Sequence, residues 1–121
     1  MKTLTTETNK KFAEFLGVKS DNSGWYEGTD LYNVGLPFSY GAMGNGTRDL
    51  KFHNDWNWLM LVIQEIANKT GYNLVINCSY SYWNKFGENP LNKEFGGYEN
   101  IENIYQACSE FVDYYNSFLE S

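Results

Sequence analysis

The sequence predicts a small α+β protein, with a small antiparallel sheet covered by two long amphipathic helices and a short N-terminal helix. Apolar residues recur at spacings of three and four after Asn54 and again after Asn100, as on one face of a helix. Between these stretches, residues 72–80 alternate between apolar and polar, as in a half-buried strand. The length of 121 residues predicts one domain, residues 1–121.

Residues 1–17 predict a short helix. Thr5 or Thr6 is a candidate N-cap, and Gly17 can end the helix in a left-handed conformation. The apolar face around Phe12 and Phe15 is narrow, so we expect this helix to dock at the periphery.

Residues 19–49 are rich in polar residues and glycine. Residues 19–30 are typical of a loop, and weak alternation over 25–38 predicts one or two short strands. The glycine-rich stretch 40–47 predicts a flexible loop or a hairpin turn. A phosphate-binding loop is disfavoured, because these glycines do not lead directly into a helix. Candidate contacts to a protein partner in this stretch are Tyr40, Met43 and Asn45.

The stretch from Leu50 to Gly71 predicts a short strand at 50–53 followed by the central helix. Asn54 or Asp55 is the candidate N-cap, and Gly71 the candidate C-terminal stop. Trp58 falls off the main apolar face, where it either shields the core or contacts a partner. The predicted core face of this helix contains Trp56, Leu59, Met60, Val62, Ile63, Ile66 and Ala67.

The strand predicted at residues 72–80 continues towards Trp83 or turns into a second strand. Residues 84–97 are rich in turn-forming types and predict a long loop or hairpin, with Phe86 and Phe95 as candidate partner contacts. The side chains predicted to share one face of the strand are those of Tyr72, Leu74, Ile76, Cys78 and Tyr80.

The C-terminal helix has the clearest pattern. Asn100 is a candidate N-cap, and the core stripe consists of Ile101, Ile104, Tyr105, Cys108, Phe111, Val112, Tyr115 and Leu119. The opposite side is acidic, and no lysine or arginine follows Lys93. This side is either a solvated face or a docking face for a basic partner. The candidate contacts on it are Glu102, Glu110, Asp113 and Glu120.

Two segments of the sequence, KFHNDWNWLM and IENIYQACSEFVDYYN, carry a resemblance. They are similar to an H-x-x-W-x-W-L-M helix start and an I-E-x-I-Y…E-F-x-x-Y-N ending found in a family of small phage and prophage proteins of Bacteroidetes. The resemblance covers roughly residues 50–120. It implies a small α+β protein from a mobile element, and it supplies no catalytic residues.

The composition restricts the class of partner. The formal net charge is −6, and a chain this acidic repels phosphates, which disfavours direct binding of nucleic acid. Aromatic residues make up 18% of the chain, and they serve either an interface or the core. The sequence contains neither an N-terminal signal segment nor a run of ~20 apolar residues, so we expect no membrane span and a cytoplasmic protein.

Few residues in the sequence are candidates for a catalytic or metal-binding site. Cys78 and Cys108 lack metal-ligand spacing, and reduced, buried thiols are favoured over a disulfide. His53 and Asp55 form an H-x-D pair, but no second histidine or carboxylate cluster completes a catalytic or metal site. We therefore expect no metal, no cofactor and no enzymatic activity.

The sequence favours a non-enzymatic phage or prophage accessory protein that binds a host protein with a basic surface. An acidic inhibitor of a host defence nuclease, similar to an anti-CRISPR protein, is one such function. The alternative is a small-molecule-binding protein or minor enzyme with an aromatic pocket near His53. Both a monomer and a homodimer built on tyrosine and tryptophan side chains are compatible with the sequence.

Overall fold

The computed structural model describes residues 2–21, 25–27, 34–35, 44–46 and 50–120. Over these residues the chain forms three helices and two separate two-stranded antiparallel sheets, which confirms the predicted α+β class. The chain divides into two compact units, a first unit Met1–Val62 and a second unit Ile63–Ser121. The single domain expected for residues 1–121 stays a prediction.

The N-terminal helix spans Lys2–Phe15. It starts earlier than predicted, so Thr5 and Thr6 lie inside it and do not cap it. Its end at Gly17 is as predicted: the φ of Gly17 is 92°, its N–H donates to the Glu14 carbonyl (3.0 Å), and the Val18 N–H donates to the Ala13 carbonyl (2.9 Å). These two bonds form a Schellman motif, which satisfies carbonyls left over at the helix end.

The N-terminal helix contributes to the core of the first unit and is not peripheral as predicted. Phe12 is fully buried, and its ring meets that of Phe52 edge-on, with 5.6 Å between centroids. Phe52 in turn meets Trp58 edge-on at 5.1 Å. A narrow apolar stripe suffices here because each aromatic ring buries a large area.

The sheet of the first unit pairs β1, Trp25–Glu27, with β2, Gly44–Gly46. A strand near Trp25 is as predicted. The segment Gly44–Gly46 was expected in a loop or hairpin turn, and that expectation is wrong, because the backbone of Asn45 pairs with that of Tyr26. Sheet pairing uses backbone groups, so glycine can take part in it despite its low strand propensity.

The chain reaches the central helix through a turn and not through the predicted strand at residues 50–53. The N–H groups of Asn54 and Asp55 both donate to the Lys51 carbonyl, at 3.2 and 2.9 Å. Leu50 and Phe52 are both fully buried. The predicted strand is therefore wrong, since the two apolar side chains are buried without extended pairing of the backbone.

The central helix spans Trp56–Thr70. Asp55 caps it as predicted, since its Oδ1 accepts the Asn57 N–H at 2.9 Å. Gly71 ends it as predicted, with a φ of 82° and an N–H that donates to the Ala67 carbonyl at 2.9 Å. Both helix termini thus have partners for backbone groups that the helix itself leaves unsatisfied.

The buried face of the central helix differs from the predicted face. Trp58, predicted off that face, is 1% exposed, whereas Trp56 and Met60, predicted on it, are 38% and 48% exposed. Trp58 shares a row one turn apart with Val62 and Ile66, which are also buried. Both rows contain a tryptophan, so ring size does not decide between them; Trp58 is the tryptophan that meets the buried Phe52 ring.

The second unit contains a β-hairpin. Strand β3, Asn73–Ile76, pairs with strand β4, Ser81–Asn84, and Leu74 lies opposite Trp83. The strand predicted to reach Tyr80 is shorter, and its alternative, a turn into a second strand, is confirmed. The Asn77 N–H donates to the Tyr80 carbonyl at 2.9 Å and closes the turn.

The stretch 84–97, predicted as a long loop or hairpin, begins with the last residue of β4, and the residues after it return along that strand. Lys85 and Glu88 pair around a tight turn, and Phe95 pairs with Ser81. In the second pair each N–H donates to the other residue's carbonyl at 2.7 Å. The segment at Phe95 therefore extends the hairpin on the β4 side.

The C-terminal helix spans Ile101–Glu120, and Asn100 caps it as predicted, with its Oδ1 accepting the Glu102 N–H at 3.0 Å. The indole N–H of Trp83 donates to the Ala107 carbonyl at 3.0 Å, and the Trp83 ring lies 4.6 Å from that of Phe111. The centre of the predicted stripe is confirmed, since Ile104, Cys108, Phe111 and Val112 are buried, together with Ala107, which was not predicted. Ile101, Tyr105 and Tyr115 are half-buried, and the side chain of Leu119 lies outside the described residues.

Both cysteines are free thiols. Cys108 is buried as predicted, and burial raises the pKa of its thiol. Cys78 is exposed, so its predicted burial is wrong. The cause is the turn, because the strand ends before Cys78 and the inward alternation ends with it.

Candidate functional site

The acidic side of the C-terminal helix was the first candidate contact surface. Glu102 and Asp113 are exposed on it. Glu110 is held by an ion pair, since Lys93 Nζ lies 2.9 Å from both of its carboxylate oxygens, and Gln106 also donates to it at 3.1 Å. Glu110 is therefore partly neutralised, although the sequence suggested a face without basic neighbours.

The aromatic side chains predicted to contact a partner differ in how far they are exposed to solvent. Trp58 and Phe95 are 1% and 7% exposed, so their rings have almost no surface to offer a partner, and we remove both from the candidate set. The Phe86 side chain is 94% exposed and remains in it. Asn45 lies in β2, but its side chain is outside the described residues, as are Tyr40, Met43 and the side chain of Glu120.

His53 and Asp55 each make a contact that supports the fold of the first unit. The Asn9 side-chain amide donates to the Leu50 carbonyl at 3.1 Å and lies 2.9 Å from Nδ1 of His53. The Asn9 amide group therefore ties His53 to the turn that precedes the central helix. Asp55 caps the central helix. In the described part of the chain, no group of three or more His, Cys, Asp or Glu side chains could hold a metal ion.

The negative charge is concentrated in the second unit. Its residues 63–121 include eight acidic and three basic residues, a net charge of −5, whereas residues 1–62 include seven acidic and six basic residues, a net charge of −1. At physiological ionic strength, such a charge still acts over roughly 8 Å from the surface. The second unit is therefore the part of the molecule that attracts cations.

Each of the three lysines in the second unit is held by contacts within that unit. Lys69 lies over the Tyr115 ring, with its Nζ 6.0 Å from the centroid. Lys85 donates to the Thr70 carbonyl at 2.9 Å, and Lys93 pairs with Glu110. Of the acidic side chains in this unit, those of Glu88, Glu94, Glu99 and Glu102 are exposed to solvent.

Three tyrosines lie at the turn end of the hairpin, of which Tyr80 and Tyr98 are exposed and Tyr82 is half-buried. Ser81 and Trp83 point inward, so Tyr80 and Tyr82 share the outward face, where their rings stack in parallel with 6.2 Å between centroids. Tyr98 is 56% exposed, and its N–H donates to the Asn77 carbonyl at 3.0 Å beside the turn. We refer to Tyr80, Tyr82 and Tyr98 as the tyrosine surface.

A close backbone contact positions the tyrosine surface. A Cβ atom at Gly97 would overlap the Cys78 carbonyl group, so only glycine lets the two backbones approach this closely. The contact holds Tyr98 beside the turn. Glu99 and Glu102, both exposed, follow directly at the start of the C-terminal helix. Acidic groups therefore flank the tyrosine surface.

Sequence reasoning did not identify the tyrosine surface. It placed Tyr80 on the inward face because it extended β3 through the turn. The available signal was the order Tyr80, Ser81, Tyr82, Trp83, in which the largest ring marks the buried face.

Neither a family model, nor a curated protein, nor a solved structure matches this chain. The phage resemblance therefore stays a prediction. Among the described residues, the helices are all too short or too polar to cross a membrane.

Proposed function

We propose that this chain is a non-enzymatic protein that binds another protein, and that the second unit contacts a basic surface on the partner. The observation that carries this proposal is the net charge of −5 on residues 63–121, whose three lysines are all held by contacts within the unit. A concentrated charge of one sign steers association with an oppositely charged surface.

The tyrosine surface supports the same function. Tyrosine brings a large contact area and one hydroxyl with little loss of conformational entropy, and it is enriched at the centres of protein interfaces. The side chains of Tyr80 and Tyr98 are 44% and 56% exposed, so a large area of aromatic ring is available for contact with a partner. Flanking carboxylates from Glu99 and Glu102 would pair with lysine or arginine of the partner.

The phage resemblance suggests the setting of this interaction. A mobile-element protein acts in the cytoplasm of the bacterial host, where nucleic-acid-binding proteins offer extended basic surfaces. The proposed partner is therefore a host protein of this kind, including a defence nuclease whose activity the chain would inhibit. The alternative of an aromatic pocket at His53 loses support, because Trp58 is buried in packing and His53 is bound to Asn9.

The experiment compares two matched charge variants. Immobilised protein captures partners from a Bacteroidetes lysate at low salt, and the partner is identified and purified. Association rates are then measured for Glu99→Gln with Glu102→Gln, and for Glu7→Gln with Glu14→Gln, which removes the same charge from exposed sites on the N-terminal helix.

We expect the first pair to slow association severalfold and to flatten its dependence on ionic strength, because the removed charges lie at the contact. The second pair should have little effect. Equal effects of the two pairs, or capture of no protein at low salt, would overturn the proposal.

A further inference from the structure

Phe86 combines two unfavourable features. Its side chain is 94% exposed, the highest value among the large apolar side chains of the described residues. Its backbone has a φ of 52°, in the left-handed region, where a bulky side chain is rare because Cβ crowds the carbonyl oxygen. A single exposed apolar residue is ordinary, but one held in a strained backbone conformation is not.

The strain arises from a two-residue hairpin turn. The N–H groups of Lys85 and Glu88 each donate to the other residue's carbonyl at 3.0 Å. Between them, Phe86 and Gly87 both have positive φ, 52° and 84°, which defines a type I′ turn. That turn favours Asn-Gly. Glycine occupies its second position as expected, whereas phenylalanine occupies the position that suits asparagine.

The base of the turn is fixed to the rest of the second unit. Lys85 Nζ donates to the Thr70 carbonyl at 2.9 Å, at the end of the central helix. The same ammonium group lies 5.4 Å from the centre of the Tyr72 ring. The Lys85 side chain also packs where a Cβ on Gly71 would lie, at 3.2 Å. The Phe86 ring is therefore presented on a rigid support, which lowers the entropy lost on binding.

We propose that Phe86 is an apolar anchor that inserts into an apolar pocket, bordered by basic groups, on the partner protein. This inference rests on the proposed function. The exposed Glu88, which closes the same turn, and the net charge of −5 on the second unit favour a basic border. A second copy of this chain is the less favourable occupant, because it would bring two acidic units together.

The decisive variant is Phe86→Asn, which supplies the residue that the turn prefers and removes the ring. The melting temperature should rise by roughly 2–5 °C, because the strain is relieved and no buried contact is lost. Affinity for the purified partner should fall about 30-fold or more, as for an interface hot spot. The matched control is Phe118→Ala, which removes another ring of this unit that is 61% exposed, and it should change affinity less than about threefold.

The position of the contact is tested by photo-crosslinking. With p-benzoylphenylalanine in place of Phe86, irradiation should link the protein to a partner peptide that contains apolar residues flanked by lysine or arginine. The same group in place of Phe118 should give no such link. Crosslinking of equal yield from both positions would overturn the anchor.

The outcomes separate the two proposals. If the wild-type chain captures no partner, the proposed function fails, and the anchor fails with it. If a partner binds the wild type and Phe86→Asn equally well, only the anchor fails. A lower melting temperature in Phe86→Asn would also overturn it, because the ring would then be needed for folding. A wild-type dimer that Phe86→Asn converts to a monomer would identify a second copy as the occupant and refute the basic pocket.

Discussion

Single side chains in the second unit differ sharply in what they contribute to folding. Phe111 is 1% exposed, and its ring lies 4.6 Å from Trp83 and 5.6 Å from Tyr72. Phe118 lies two turns further along the same helix and is 61% exposed. The same residue type therefore provides an internal comparison between core and surface.

We predict that Phe111→Ala lowers the free energy of unfolding by about 3–5 kcal/mol, because it removes a buried ring and leaves a cavity. A loss of this size is a large fraction of the stability of an ordinary domain. Phe118→Ala should cost less than about 1 kcal/mol, since most of that ring is already in water. Urea denaturation of both variants measures the difference, and similar losses would contradict the predicted packing.

At the residue scale, helical spacing predicted Phe111 correctly and Trp58 incorrectly. The C-terminal helix has an acidic side, so only one orientation buries its apolar stripe. The start of the central helix has apolar side chains at Trp56, Trp58 and Met60, so spacing alone permits more than one orientation. The tertiary contact between Trp58 and Phe52 selects one of them.

At the scale of secondary-structure elements, two backbone contacts hold the segment after Phe95 against the hairpin. The Tyr98 N–H donates to the Asn77 carbonyl at 3.0 Å, and Gly97 lies against the Cys78 carbonyl. Because the neighbouring atoms belong to the backbone, they cannot move aside by a change of side-chain rotamer. The segment therefore tolerates no side chain at position 97.

Gly97→Ala should accordingly displace this segment from the hairpin and destabilise the fold by about 2–4 kcal/mol. The amide of Tyr98 should lose its protection in hydrogen exchange, since its acceptor moves away. Gly17→Ala is the control: a Cβ there meets nothing within 4 Å, so it only adds the cost of a left-handed alanine, about 1–2 kcal/mol. Full protection of the Tyr98 amide in Gly97→Ala would refute the close contact.

The three helices were predicted from sequence, and their ends at Gly17, Gly71 and Asn100 were predicted because caps are local chemistry. The hairpin turn at Cys78 and Ser79 was less visible, because the alternation of apolar and polar residues over 72–80 runs through it and hides the turn-forming serine. The pairing of β1 with β2 could not be predicted, because it joins segments almost twenty residues apart and one of them is mainly glycine.

For the whole molecule, the fold class followed from local periodicity, and the excess of acidic residues could be counted directly. The location of the candidate surface could not be predicted from the sequence. It depends on which lysines are held by contacts within the second unit, and Lys93 meets Glu110 across 17 positions of the chain. It also depends on the outward direction of Tyr80, which follows from the pairing of β3 with β4. The lysine contacts and the direction of Tyr80 both depend on contacts between segments that are distant in the sequence.

The stability of the whole molecule should depend on pH in the alkaline range because of Cys108. Burial raises the pKa of this thiol above its ordinary value of 9.0. Below pH 9 the folded and the unfolded chain both keep the proton, so this group adds no pH dependence. Above pH 9 the unfolded chain releases the proton and the folded chain keeps it, so the free energy of unfolding falls by up to about 1.4 kcal/mol per pH unit.

This contribution is measured by urea denaturation at several pH values between about 8 and about 10.5, which bracket the unfolded thiol pKa. The variant Cys108→Ala should be less stable near neutral pH, because the buried sulfur leaves a small cavity, and should show a shallower alkaline decline. Cys78→Ala removes an exposed thiol and should decline like the wild type. Parallel declines in the wild type and Cys108→Ala would mean that the folded chain also ionises Cys108, and hence that the thiol is accessible to water.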